Sequence, residues 1–590
     1  MKNIHLAELL ALTLSFTAPI CMAETINPKD NLINPIINNE ITLKFDKISD
    51  ENWQYNKYED VYYKIGILYC QFPVNIQYQT LAIFVPAKYM TATETQTGYY
   101  KYKINPDAVV GNYTAKTAPI VMPVNTPGYM AMPSLTSYAS VKKFTDEGFI
   151  YVHAGCRGRN EGAPTGITDL KAAVRFLRFS KDTIPGNTER IFTFGMSGGG
   201  AQSALMGATG NSNLYEPYLN QIGAVKETSD DIYGAMCWCP ITNLDTANEA
   251  YEWMMGATRT NLSEEQKVIS DKLAEKYAEQ LNNLKIKDLK GNILSLSKSD
   301  EGIYQTGSYY EYLKKVIEKS FNNFIADTKF PYEVPKTPSF ARGIRNGEGV
   351  NKKPNNDNNM VDSAKRAEKA IEEVDNISRN ETSNNTAVSG RYETLEDYIN
   401  SLNKNVRWVN YDKETRTVTI TSISDFVKAC KNASKSIGAF DQLDAGQGEN
   451  TLFGYGDGKG AHFDKALSEI LKDINTQTAL KYSYDLLRKD SVGNKVDARL
   501  NMYTPLYYLL ETSKGYESAK IAKHWRIRTG IFQSDCALCT ELNLALALQN
   551  YKNVESVDFE TVWGQYHTKA ERTGESEENF IYWVHECMKK

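Results

Sequence analysis

Residues 190–205 read RIFTFGMSGGGAQSAL, and this stretch decides the fold. The run from Ile191 to Phe194 has the β-branched and aromatic make-up of a buried strand. It passes at once into Gly195-Met196-Ser197-Gly198-Gly199-Gly200, where a helical pattern begins. Gly-x-Ser-x-Gly between a strand and a helix is the sequence form of a nucleophile elbow. The turn is so tight that the serine takes a strained backbone, and the glycines remove side chains that would clash. The serine hydroxyl is lifted clear of the sheet at the positive end of the following helix. Ser197 is therefore the candidate nucleophile, and the N–H of Gly198 a candidate donor to a developing oxyanion.

Outward from the elbow, strands and helices alternate. APIVMPVNTPG (118–128) predicts a strand ending in a turn, and SLTSYASVKKFTDEG (134–148) a helix. FIYVHAG (149–155), IYGAMCWCPITN (232–243), HWRIRTGIF (524–532) and VDFETVWG (557–564) predict strands. ITDLKAAVRFLRFS (167–180), TELNLALALQNY (540–551) and EENFIYWVHECM (577–588) predict helices. Continuous apolar strands alternating with amphipathic helices mean an α/β fold with a mostly parallel sheet covered on both faces. Two further strands precede them, in VYYKIGILYCQF (61–72) and YQTLAIFVPAKYM (78–90).

From about Met255 to Tyr503 the rhythm breaks into polar, mainly helical sequence, with Asn-rich loops at 346–362 and 379–390. The simplest organisation is one α/β domain (24–256 and 506–590) interrupted by a lid-like insertion (257–505). Such an insertion sits over the carboxyl edge of the strands, where ligands bind. Residues 1–23 have a positive end, a short apolar stretch and a small-residue site after Ala23, which predicts an export signal and a secreted or periplasmic protein.

With 590 residues and a formal charge of −5, the chain is long enough for more than one structural unit and carries no basic excess that would suit nucleic acid. No stretch reaches the roughly 20 apolar residues of a membrane span. Cys237-Trp238-Cys239 and Cys536-x-x-Cys539 lie in apolar strand and helix patterns, without the paired knuckles or patterned histidines of a zinc site. They read as buried thiols, and no metal or organic cofactor is called for.

A serine needs a base, and the elbow expects an acid and then a histidine downstream. Of His462, His524, His567 and His585, only His567 follows the last strand, in VWGQYH. Asp535 is the only carboxylate after the preceding strand before Glu541, so Asp535 is the expected triad acid. A second oxyanion donor is expected from the turn Asn125–Tyr129, with Gly128 as the choice.

Together GMSGGGAQSAL (195–205), NTPGYM (125–130), GCRGRNEG (155–162), CPITNLDTANEAYEW (239–253), KHWRIRTGI (523–531) and VWGQYH (562–567) resemble the bacterial tannases, subtype B tannin acyl hydrolases. The resemblance covers most of 100–256 and 520–575 and implies an α/β-hydrolase with a large lid that hydrolyses galloyl esters to gallate. It also implies that a lid lysine and glutamate, here Lys435 and Glu449, bind the ring hydroxyls. A carboxylate accepts well from adjacent phenolic O–H groups, and an ammonium donates to phenolic oxygens. The family commonly has Asp-x-Asp after the late strand, one acid for the triad and one for the ring. This chain has Gln533 and Asp535 there. Asp535 would then take the triad role. The second acid's hold on the ring would be missing, replaced by one from Gln533, or shared by Asp535. The rival expectations are a feruloyl or acetyl esterase of the same fold, a non-catalytic tannin-binding protein, and a peptidase.

Overall fold

The computed structural model describes residues 46–334 and 390–589. The expected export signal and most of the Asn-rich loops lie outside them. A nine-stranded sheet forms the centre. Its strands are β1 (Gln54–Asn56), β2 (Val61–Leu68), β3 (Thr80–Pro86), β4 (Ile120–Val124), β5 (Ile150–Ala154), β6 (Ile191–Met196), β7 (Gly234–Trp238), β8 (His524–Gly530) and β9 (Ser556–Val562). Their order is β1-β2-β3-β5-β4-β6-β7-β8-β9. The first three strands and β5 pair antiparallel. From β5 through β4, β6, β7 and β8 to β9 all pairing is parallel. β4, β6, β7 and β8 are buried along their whole length, as expected for strands covered on both faces.

The helices that matter here are α1 (Thr165–Phe179), α2 (Gly198–Ala208), α3 (Ala247–Met255), α4 (Glu264–Leu284), α5 (Ser308–Asp327), α6 (Ile423–Cys430), α7 (Gly448–Leu452), α8 (Leu538–Gln549) and α9 (Ser576–Met588). α4 to α7 belong to the long segment between β7 and β8, where the parallel rhythm is interrupted. That segment also holds a hairpin, Val409–Asp412 against Thr417–Ile420. Its sequence, VNYDKETRTVTI, carries a polar turn between β-branched runs. No helix among the described residues is long and apolar enough to cross a membrane.

The helix expected over 134–148 shrinks to one turn, Lys142–Thr145. The reason is local competition: Ser134 donates its N–H to Gln77, and its hydroxyl accepts from Thr80 N. Its backbone and side chain are thus spent on the neighbouring loop rather than on a helix. All eight described cysteines are buried, and Cys237 and Cys239 are packed at the end of β7.

Candidate active site

Ser197 sits between β6 and α2 with φ 59° and ψ −123°, a region L-residues avoid. The surroundings enforce it. Ser197 N donates to Trp238 O at 2.9 Å, and Ser197 O accepts from Ala201 N at 2.9 Å. A Cβ on Gly199 would stand 2.0 Å from Val124 O, and one on Gly195 2.5 Å from the same atom, so these glycines let the elbow pack on β4.

His567 lies in the loop after β9 and is almost completely buried. Its Nε2 is 2.8 Å from Ser197 Oγ. Burial pulls its pKa down, Asp535 pulls it back up, and the charges of Lys435 and Lys431 lower it further. A neutral imidazole that accepts the serine proton is therefore the favoured form near pH 7.

The partner of His567 corrects the sequence expectation. Nδ1 of His567 is 2.7 Å from Oε1 of Gln533, and Asp535 makes neither a hydrogen bond nor an ion pair with the ring. The turn after β8 explains why. Ile531 N bonds Val562 O, Phe532 N bonds Gln565 O, and Gln533 N bonds Gly530 O. These bonds lay the chain against the loop carrying His567 and bring residue 533 beside the imidazole. Asp535, two residues on, is about one-third exposed and has Oδ1 4.0 Å from Lys435 Nζ. It acts on His567 only as a nearby charge.

Lys435 follows α6. Its backbone N and that of Ser434 donate to the hydroxyl of Tyr251 on α3, which donates in turn to Ser534 O. Tyr251 thereby ties Lys435 to the segment carrying Asp535. The Lys435 ammonium also lies 4.8 Å from the centre of the Phe440 ring.

Glu449 is on α7, which packs against the turns Pro127–Tyr129 and Arg159–Glu161. It is 5% exposed, yet among the described residues no hydrogen bond or ion pair uses its carboxylate. Arg499 secures the segment, donating to Ala163 O, Phe453 O and Gly454 O at 2.8, 2.9 and 2.6 Å.

The two oxyanion candidates are neighbours. An added Cβ on Gly198 would be 3.0 Å from Gly128 N. Gly198 N opens α2 and so has no partner within that helix. Gly128 has φ 52°, a left-handed conformation that suits glycine. Its carbonyl accepts from Arg159 Nη1 at 3.0 Å.

Three residues behind this site escaped the sequence reading: Arg159, Lys431 and Glu541. Glu541 is fully buried on α8 and accepts at 2.7 Å from both Gln533 Nε2 and Thr529 Oγ1. Lys431, also buried, donates to Ile531 O and Gln533 O. Burial raises the Glu541 pKa and lowers that of Lys431, and each charge favours the other. The available signal was a charged residue beside the apolar run LNLALAL.

A family model described as BD-FAE, an α/β-hydrolase-type family, matches residues 107–285. The fold resembles a tannin acyl hydrolase from Lactobacillus plantarum, with TM-score 0.63 and 24% identity over 90% of this chain and 94% of that one. A tannase from Fusobacterium nucleatum gives TM-score 0.63 and 26% identity over 91% and 97%. A tannin acyl hydrolase in complex with ethyl gallate gives 0.61 and 24% over 89% and 94%. No curated protein sequence matches the chain. The expected α/β-hydrolase fold with a large, mostly parallel sheet is the fold observed.

Proposed function

We propose that this chain, a carboxylic ester hydrolase of the α/β-hydrolase fold, cleaves galloyl esters through a Ser197 acyl-enzyme. The observation that carries the reading is the 2.8 Å contact between Ser197 Oγ and His567 Nε2 at a strained strand-to-helix turn.

With Nδ1–H directed at Gln533, the lone pair of Nε2 faces the serine hydroxyl. Ser197 attacks the ester carbonyl as His567 takes its proton. The N–H groups of Gly198 and Gly128 stabilise the oxyanion. His567 then protonates the leaving alcohol, and water attacks the acyl-enzyme by the same route. Gln533 orients the imidazole but brings no charge to stabilise the imidazolium. Asp535, outside hydrogen-bond range of the ring, supplies part of that charge at a distance.

Two features support a phenolic acyl group. Glu449 presents a buried carboxylate free of protein partners beside the oxyanion turn. Lys435 and Asp535 sit together near His567. A trihydroxyphenyl ring offers O–H donors to the two carboxylates and an acceptor oxygen to the ammonium. Gln533, whose polar atoms are spent on His567, Thr529 and Glu541, is not free to bind the ring.

The test is hydrolysis of propyl gallate, methyl ferulate and a nitrophenyl acetate by the wild type and Ser197→Ala. The reading requires gallate release by the wild type, preference for the galloyl ester, and a loss of about 10⁴-fold or more in kcat in the variant. Equal rates on all three esters would leave an esterase without galloyl selectivity. Undiminished Ser197→Ala activity would overturn the mechanism.

A further inference from the structure

We infer that Glu541 is a positioning residue for the proton relay, fixing which end of the Gln533 amide faces His567. This rests on the Ser197–His567 reading above.

A carboxylate at the third position can accept from an imidazole N–H with either oxygen, whereas an amide cannot. If Oε1 of Gln533 faces His567 Nδ1, that nitrogen carries the proton and Nε2 is free to take the serine proton. If the NH₂ faces Nδ1, that nitrogen must accept, Nε2 carries the hydrogen, and the ring cannot act as a base. The two amide orientations have nearly the same shape, so packing alone discriminates poorly between them.

What discriminates is the far end of the amide. Gln533 Nε2 is 2.7 Å from Glu541 Oε1 and 2.6 Å from Thr529 Oγ1. The Thr529 hydroxyl donates to the same Glu541 oxygen at 2.7 Å, which leaves its own oxygen as an acceptor. Gln533 thus meets two acceptors and satisfies both with its NH₂ group. Flipping the amide would set its oxygen against the Glu541 carboxylate and take from the buried Thr529 oxygen its donor. Lys431 supports the arrangement twice. Its charge favours ionised Glu541, and its ammonium holds the carbonyls of Ile531 and Gln533. The hydrogen bond to a carboxylate also polarises the amide, leaving more negative charge on the oxygen that faces the imidazole.

The experiment compares Glu541→Met, Glu541→Gln and the double variant Gln533→Glu/Glu541→Met in the full-length protein. The readouts are kcat and KM on propyl gallate and the ¹⁵N shifts of the His567 ring. Glu541→Met is expected to lose about a hundredfold or more in kcat, with KM within about twofold and the ring proton moved to Nε2. Glu541→Gln keeps an acceptor oxygen and is expected to recover most of kcat. The double variant replaces the amide by an isosteric carboxylate that needs no orienting and gives Lys431 a new counter-charge. It is expected to restore both kcat and the Nδ1–H tautomer.

Normal kcat and tautomer in Glu541→Met would overturn the inference. So would a folded double variant as slow as Glu541→Met. Should Glu541→Met not fold, Lys431→Met/Glu541→Met, which removes both buried charges, is read in its place with the same expected loss. Ser197→Ala and His567→Ala separate the two levels. If they are inactive while Glu541→Met is normal, only the role of Glu541 fails. If they stay active, the relay itself is wrong.

Discussion

Arg159 donates from Nη1 to the carbonyl of Gly128 across 3.0 Å, and a Cβ on Gly448 would stand 2.0 Å from that same nitrogen. One guanidinium therefore braces the turn that presents Gly128 N–H and lies against the start of the helix that presents Glu449. Arg159→Met should lower kcat on propyl gallate about ten- to a hundredfold by loosening the oxyanion turn. It should also raise KM, because α7 loses its rest. Steady-state kinetics on propyl gallate and nitrophenyl acetate separate the effects, since only the first ester reports on α7.

Gly198→Ala tests the oxyanion site more directly. Its Cβ would stand 2.5 Å from Thr126 O and 2.5 Å from Tyr129 N, which forces the turn away from the elbow. The expected outcome is a kcat loss of about a hundredfold with a lowered melting temperature, since the overpacked turn costs about 1–3 kcal/mol. Unchanged kcat in a folded variant would remove Gly198 from the oxyanion site.

The pH profile follows from His567. Burial holds its pKa below the ordinary value of about 6.5, so the neutral base persists into mildly acidic solution. The acid limb of kcat/KM should fall below that value. Gln533→Glu places a carboxylate against Nδ1 and should move the limb up by about one unit or more. The stability effect has a definite sign. The unfolded chain protonates His567 at higher pH than the folded one, so this group's contribution declines as pH drops from about 6.5 to the folded-state pKa. Titrating the ring by NMR in both proteins checks the shift.

Lys435 and Asp535 should act mainly on binding, with a smaller effect on chemistry through their charges near His567. Lys435→Met or Asp535→Asn removes one charged group of the proposed ring site, an interaction of about 1.5–3 kcal/mol. KM for propyl gallate should rise about tenfold or more, while nitrophenyl acetate hydrolysis falls by clearly less. Equal losses on both esters would instead mean that these charges serve His567.

Asp169 anchors the loop that carries Arg159. It takes two hydrogen bonds from the Arg157 guanidinium, at 2.9 and 2.8 Å, and one from Arg157 N at 2.9 Å. Asp169→Ala leaves the Arg157 charge buried and unpaired and should cost about 3–5 kcal/mol in urea unfolding.

The sheet, the elbow and the placing of His567 beside Ser197 are legible in the sequence because each has a local signature. Short apolar runs mark buried strands, glycines mark the bend at Ser197, and position after the last strand singles out His567. The partner of His567 is not legible in the same way. Charge makes Asp535 the natural choice over Gln533, but the backbone bonds of Ile531 and Phe532 to Val562 and Gln565 set which residue faces the ring. Those bonds depend on two segments meeting in space. Glu541 is a further example: it reads as an anomaly beside the apolar run LNLALAL until Gln533 and the buried Lys431, from other parts of the chain, are in view. The insertion reads as mainly helical because its long amphipathic helices dominate the pattern, and the short Val409–Ile420 hairpin is hidden among them.

Ser197 and His567 stand 370 positions apart in the chain. Closing a loop of that size is entropically late, and His567 sits beyond the final strand of the sheet. No nascent or half-assembled form of the molecule can hydrolyse an ester by this route. Recovered activity after denaturation is therefore a timer for the docking of the carboxyl-terminal strands, and it should trail the return of secondary structure.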